Sequence, residues 1–129
     1  MRVQIDISTD RRTQVLDVTE QVQTAVPDDV TGTAFVSVRH TTAGVTVNEP
    51  ESRLLEDFES FLEDVVDDEG WEHDRLDGNA DSHLRAMLVG PSVTVPVTDG
   101  ELDLGTWQAV LFVECDGPRT RTIEVETVP

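Results

Sequence analysis

Lysine is absent from this chain, and its nine basic residues, all arginines, face 27 acidic ones. A net charge of −18 leaves no positive stripe along which a phosphate backbone could lie, which argues against nucleic acid as a partner. Cysteine occurs once, so no internal disulfide can form; Cys115 closes the apolar run 109–113, and that place predicts a buried, inert thiol. No hydrophobic stretch approaches the roughly 20 residues of a membrane span. The N-terminus MRVQIDISTD has no signal-peptide core. A soluble, cytoplasmic protein with no membrane partner is expected.

What is abundant is carboxylate. So many like charges repel one another in dilute buffer, whereas in molar salt the screening length falls to about 3 Å and the repulsion fades. Abundant Asp and Glu without Lys points to the salt-rich cytoplasm of a halophilic archaeon. Hydrophobic residues make up 37% of the chain. At 129 residues, that composition fits one domain, 1–129, with one ordinary core.

Alternation of apolar and polar residues predicts strands over 3–8, 14–18, 34–38, 92–97 and 120–128. The run 106–114 is apolar enough to lie centrally in a sheet. A short helix over 20–25 is ended by Pro27. One long helix begins at Pro50-Glu51, with Leu54, Leu55, Phe58, Phe61, Leu62, Val65 and Val66 on one face and Glu51, Glu56, Glu59, Glu63 and Asp64 on the other. A second, over 80–88, has Asn79 as its N-cap. Strands, helices, then strands again give an α+β domain with a mostly antiparallel, folded-over, sandwich-like sheet.

Three histidines sit in polar clusters: His40-Thr41-Thr42, His73-Asp74, and His83 after Asp77-Gly78-Asn79-Ala80-Asp81-Ser82. Imidazole suits proton transfer near neutral pH and metal ligation alike. Local hydrogen bonding is the plainer reading of any one histidine taken alone. Gly44 suggests close backbone approach. Glu49, at a strand–helix junction, serves equally as a dipole partner, a metal ligand or a general base. Asn79 and His83 share a helix face, as do Asp81 and Arg85, a pair expected as a surface salt bridge. Trp107 opens a central strand and is expected in the core.

The blocks HTTAGVTVNEPE (40–51) and DGNADSHLRAMLVGPSVTVPVTDGELDLGTWQAVLFVECDGPRTR (77–121), with LLEDFESFLEDVV between them, resemble the YjbQ-like family, also called the secondary thiamine-phosphate synthase family. The resemblance covers nearly the whole chain. It implies a homotrimer of compact α+β subunits with a site near subunit boundaries. The implied activity joins hydroxymethylpyrimidine diphosphate to a thiazole phosphate, giving thiamine phosphate and diphosphate. On that basis His40, Glu49 and His83 are the expected catalytic residues. Thr41, Asn79, Arg85, Thr106 and Gln108 would bind the small phosphorylated substrate. His40, His73 and His83 are the expected donors to a divalent metal, Mg²⁺ or Zn²⁺. Asp81 stands where many members carry histidine, and Arg85 where lysine is common. Two other functions suit the same residues: metal-assisted hydrolysis of a small phosphorylated or acyl compound, and binding of a small ligand by a trimer without turnover.

Overall fold

The computed structural model describes residues 1–129. Eight strands and three helices follow one another as β1 (Arg2–Ser8), β2 (Gln14–Asp17), α1 (Thr19–Ala25), β3 (Gly32–Val38), β4 (Ala43–Asn48), α2 (Ser52–Val65), α3 (Ala80–Val89), β5 (Ser92–Thr98), β6 (Glu101–Leu102), β7 (Ala109–Glu114) and β8 (Thr120–Val128). A single 3-10 turn, Glu72–Arg75, interrupts the polar segment between α2 and α3. The strands form two antiparallel sheets, one in the order β1-β8-β3-β5-β6 and a smaller one in the order β2-β7-β4. An α+β fold with a folded-over, sandwich-like sheet is what the alternation predicts, and the structure has it.

Three layers result. The inward side chains of the large sheet, Val36, Val95, Ile123 and Val125, meet Val45, Val110 and Phe112 of the small sheet, with Val22 of α1 closing one side. The other face of the small sheet carries Val15, Leu111 and Val113, covered by Leu62 of α2 and Ala86 of α3. Strand β7 therefore packs on both faces, and all six of its residues are buried. That is why its sequence reads as a continuous apolar run rather than an alternation. It begins at Ala109, not at Thr106, because Thr106 and Trp107 lie in a turn closed by Gln108 N–H donating to Gly105 O.

Local chemistry sets the boundaries. Asp99 and Gly100 both have positive φ (48° and 80°), the two-residue turn that matches the twist of the β5–β6 hairpin. Gly44 allows the end of α3 to touch β4: a Cβ there would lie 2.5 Å from the Gly90 carbonyl oxygen. Val45 N–H donates to that same carbonyl.

Three expectations need correction. Glu59 lies on the buried side of α2, where its carboxylate accepts from Val15 N–H at 2.8 Å and from Arg11 at 2.7 Å. The physical reason is that β2 is an edge strand, and its outward N–H needs an acceptor. Asn79 occupies the N-cap position of α3 without capping it through its side chain; Asp74 takes the Ala80 N–H instead, at 3.2 Å. Trp107 is 72% exposed, because the strand it was expected to open starts two residues later.

Candidate functional site

The small sheet organises the polar residues into two poles. At one end, Ala43 pairs with Glu114; at the other, Asn48 pairs with Ala109. Six residues of β4 separate them, roughly 17 Å of extended chain.

At the first pole, β8 feeds Arg121 into the interior in phase with Ile123 and Val125. Its guanidinium forms a two-pronged pair with the fully buried Glu114 of β7 and donates to Thr42 Oγ1 at 2.9 Å and Thr42 O at 3.1 Å. Thr9 Oγ1 donates to Glu114 Oε1 at 2.8 Å. Burial alone would raise the Glu114 carboxyl, but the bonds from Arg121 and Thr9 outweigh it and hold it below the ordinary value. This cluster fixes the turn that carries His40. One residue beyond the last β3–β8 pair, Thr122 N–H donates to His40 Nε2 at 3.0 Å. Burial, then the Arg121 charge, lowers the pKa of that imidazole. A cleft of about 180 Å³ opens beside it, lined by Gln4, Arg39, Thr122 and Glu124.

A second polar cluster lies under the start of α3. Arg85 is 1% exposed and pairs with the fully buried Asp81. Its other donors reach Leu62 O at 2.7 Å, Val66 O at 2.7 Å, Glu63 O at 3.2 Å and Asp68 at 2.9 Å. The first three are carbonyls that the end of α2 leaves free, and the last is a carboxylate. Arg12 donates to Asp81 Oδ1 at 2.9 Å. Burial pushes Asp81 upward, yet the bonds from Arg12 and Arg85 keep its carboxyl below the ordinary value. The Asp81–Arg85 pair is therefore interior, not the surface bridge its spacing suggested, and Arg85 has its hydrogen bonds engaged within the fold.

Asn79 links the clusters, donating through Nδ2 to Asp116 at 3.1 Å, while Asp116 also accepts from Arg119 at 3.1 Å. The Asn79 Oδ1 atom and His73 Nε2 are buried without a hydrogen bond, the nearest carboxylate to His73 Nε2 being Asp77 at 3.6 Å. His73 and His83 meet edge to face, with ring centroids 4.9 Å apart. His40, Thr41 and Asn79 thus belong to the first pole. Glu49, Thr106 and Gln108 belong to the opposite one, where Gln108 Oε1 accepts from Gly105 N at 2.8 Å. One chain does not bring Glu49 to His40. Nor does one chain gather three or more His, Cys, Asp or Glu side chains closely enough to hold a metal ion, so His40, His73 and His83 form no donor set within it.

From the sequence, no role falls to Arg121, Glu114 or Thr9, and none to Thr42 beyond its place in the His40 cluster. A signal existed for the first two: a charge in the inward phase of an alternating strand, and a carboxylate closing an apolar run.

Residues 3–129 match the model of the family described as UPF0047 protein YjbQ-like. The chain belongs to the YjbQ-like family. A UPF0047 protein of Archaeoglobus fulgidus is 46% identical over 127 residues, covering 98% of this chain and 100% of that protein. One from Methanothermobacter thermautotrophicus is 46% identical over 125 residues, with 95% and 87% covered. The crystal structure of a hypothetical protein from Aeropyrum pernix K1 superposes with a TM-score of 0.95 at 44% identity, covering 99% and 98% of the two chains. Membership accounts for the order of the sequence blocks and for the fold.

Proposed function

We propose that this YjbQ-like protein is a transferase that joins hydroxymethylpyrimidine diphosphate to a thiazole phosphate. The thiazole nitrogen lone pair forms the new C–N bond at the pyrimidine methylene carbon. The C–O bond to diphosphate breaks, and its electron pair leaves on the diphosphate oxygen. Such a leaving group demands positive charge close by. The observation that carries the reading is the gathering of arginines round His40: Arg39 lines its cleft, and Arg119 and Arg121 are near enough to act on its charge. Three of nine basic residues thus surround one histidine in a chain of −18. Arg39 and Arg119 are exposed, and phosphate oxygens can displace the carboxylates they now pair with, Glu124 and Asp116. Within one chain the donor set does not fit a resident divalent metal, so Mg²⁺ is taken to arrive with the diphosphate as part of the substrate.

The two poles bear on assembly. If Glu49, Thr106 and Gln108 act with His40, they must come from different subunits of a homotrimer. An apolar groove of about 210 Å³ beside Asn48, flanked by Phe61 (61% exposed) and Leu88 (57% exposed), is surface that such packing would cover.

The test is formation of thiamine phosphate with matching release of diphosphate, from both precursors and Mg²⁺, in molar potassium chloride. Product is expected, and His83→Ala is expected to reduce the rate about a hundredfold. Unchanged activity in that variant removes the site. Mixing dissociated and reassembled His40→Ala and Glu49→Ala subunits should restore part of the activity if the site is shared, and none if each chain works alone. Tight ligand retention without turnover would replace the enzyme by a binding protein.

A further inference from the structure

The hydrogen bond at the end of the β3–β8 ladder determines which nitrogen of His40 carries its proton. Regular pairing of these strands stops at Val38 and Ile123. Thr122, the next residue of β8, directs its N–H to His40 Nε2 at 3.0 Å. A nitrogen that accepts a hydrogen bond has no proton, so the neutral ring carries its proton on Nδ1. That second nitrogen makes no hydrogen bond within the chain and is not among the buried unpaired atoms, so it is accessible, on a ring that lines the cleft.

The other polar groups lining the cleft are already engaged. The Gln4 amide donates to Glu124 at 3.3 Å, Arg39 Nε pairs with Glu124 at 3.2 Å, and the Thr122 hydroxyl donates to Asp6 at 3.2 Å. The charged groups that act on the ring are Arg121, Glu114 and Arg119, with Arg39 and Glu124 across the cleft. Burial and the Arg121 guanidinium oppose a second proton more strongly than Glu114 and the Thr122 backbone favour one, so the ring titrates below its ordinary value.

We propose that His40 is a neutral hydrogen-bond donor of fixed tautomer, which presents Nδ1–H to an oxygen acceptor of the ligand, phosphoryl or carbonyl, and takes no proton from it. The proposal rests on the cleft being part of the site described above, but its first test does not need the transferase activity. Its structural half is the capped ladder: the ring takes the place of the backbone acceptor that β3 would have supplied had it continued.

The test is long-range ¹H–¹⁵N correlation on protein with ¹⁵N-labelled histidine, at pH 7.5 in molar potassium chloride, assigned with His40→Gln. The expected spectrum shows His40 protonated on Nδ1 and bare on Nε2. An Nε2–H tautomer or a doubly protonated ring overturns the proposal. Inorganic diphosphate is then added as the probe, with a shift of the His40 Nδ1 signal expected. No shift at His40 overturns the ligand half. Glutamine can accept from Thr122 N–H and still donate into the cleft, so His40→Gln should bind diphosphate within about threefold of the parent, while His40→Leu should lose about tenfold. Equal loss in both variants overturns the donor role. Thermal melting of each variant separates loss of binding from loss of fold. Absence of thiamine phosphate formation beside an intact tautomer and diphosphate shift would end the transferase reading and leave this one standing.

Discussion

Arg85 and Arg121 are the two arginines this protein buries almost completely, and they are held in opposite ways. Arg85 has two carboxylates, Asp81 and Asp68, and three carbonyls from the end of α2. It works as a fork that ties the polar segment after α2 to α3. Arg121 has one carboxylate, Glu114, and one residue, Thr42, on the turn that leads from His40 into β4. The first arrangement is redundant and the second is not. Redundancy suits a strut; a single partner suits a place where the protein positions a side chain, here His40. The difference teaches that a buried charge in this fold is not itself evidence of a site, and that partner count separates the two cases.

The largest expected effect follows from that count. Glu114→Gln leaves Arg121 charged, buried and without an anion, which should cost about 3–5 kcal/mol. Asp81→Asn leaves Arg85 with Asp68 and three carbonyls and should cost roughly half as much. Urea unfolding in molar potassium chloride measures both, and equal losses would erase the distinction. The order should invert when the arginines are shortened. Arg85→Lys replaces a planar fork of five donors by three and abandons helix-end carbonyls, for about 2–3 kcal/mol. Arg121→Lys keeps its charge beside Glu114 but gives up one prong and the Thr42 bonds, fewer than Arg85 loses, and should cost less, about 1–2 kcal/mol.

Acid sharpens the comparison more gently. Asp81 and Glu114 both titrate below the ordinary carboxylate value because of their arginines. A depressed carboxyl contributes stability that is complete above the unfolded value, about 4, and is lost as pH falls through the lower folded value. Stability should therefore drop steeply below about pH 4. Glu114→Gln removes one of the two groups, so its curve should be flatter there, and denaturant melts at a series of pH values would show it. A parallel curve would mean that Glu114 is not held down as described.

Much of this arrangement was legible in the amino-acid order. Period-two alternation located β1, β3, β5 and β8, and the helical stripe of leucines and phenylalanines located α2, because each element has one apolar side to bury. The histidines and Asn79 stood out by residue type. What stayed hidden depends on contacts between distant segments. Nothing local to Glu59 says that an edge strand, 44 residues earlier, will need its carboxylate. The Asp81–Arg85 spacing describes a helix surface equally well whether solvent or the end of another helix lies beyond it. The separation of His40 from Glu49 follows from β4 being one straight strand, a fact present in residues 43–48 but outweighed by the reading of 40–51 as a single block.

Cys115 gives the most direct view of both clusters. The thiol is fully buried in the layer beneath α2 and α3. Burial, then the Glu114 carboxylate, pushes it up to about 12, while Arg85 and Arg121 pull the other way. At pH 8 a thiol with a pKa of about 12 is ionised on the order of once in ten thousand molecules, so a disulfide reagent should find almost no thiolate in the folded protein. Labelling must wait for opening, and its rate reports the free energy of that opening. Loss of the Arg121 cluster's anion should raise the labelling rate of Glu114→Gln about a hundredfold or more, and loss of one of Arg85's two should raise that of Asp81→Asn about tenfold. Fast labelling of the unsubstituted protein would mean that the layer under the helices opens without disturbing either arginine, and the two clusters would then not be what keeps that layer closed.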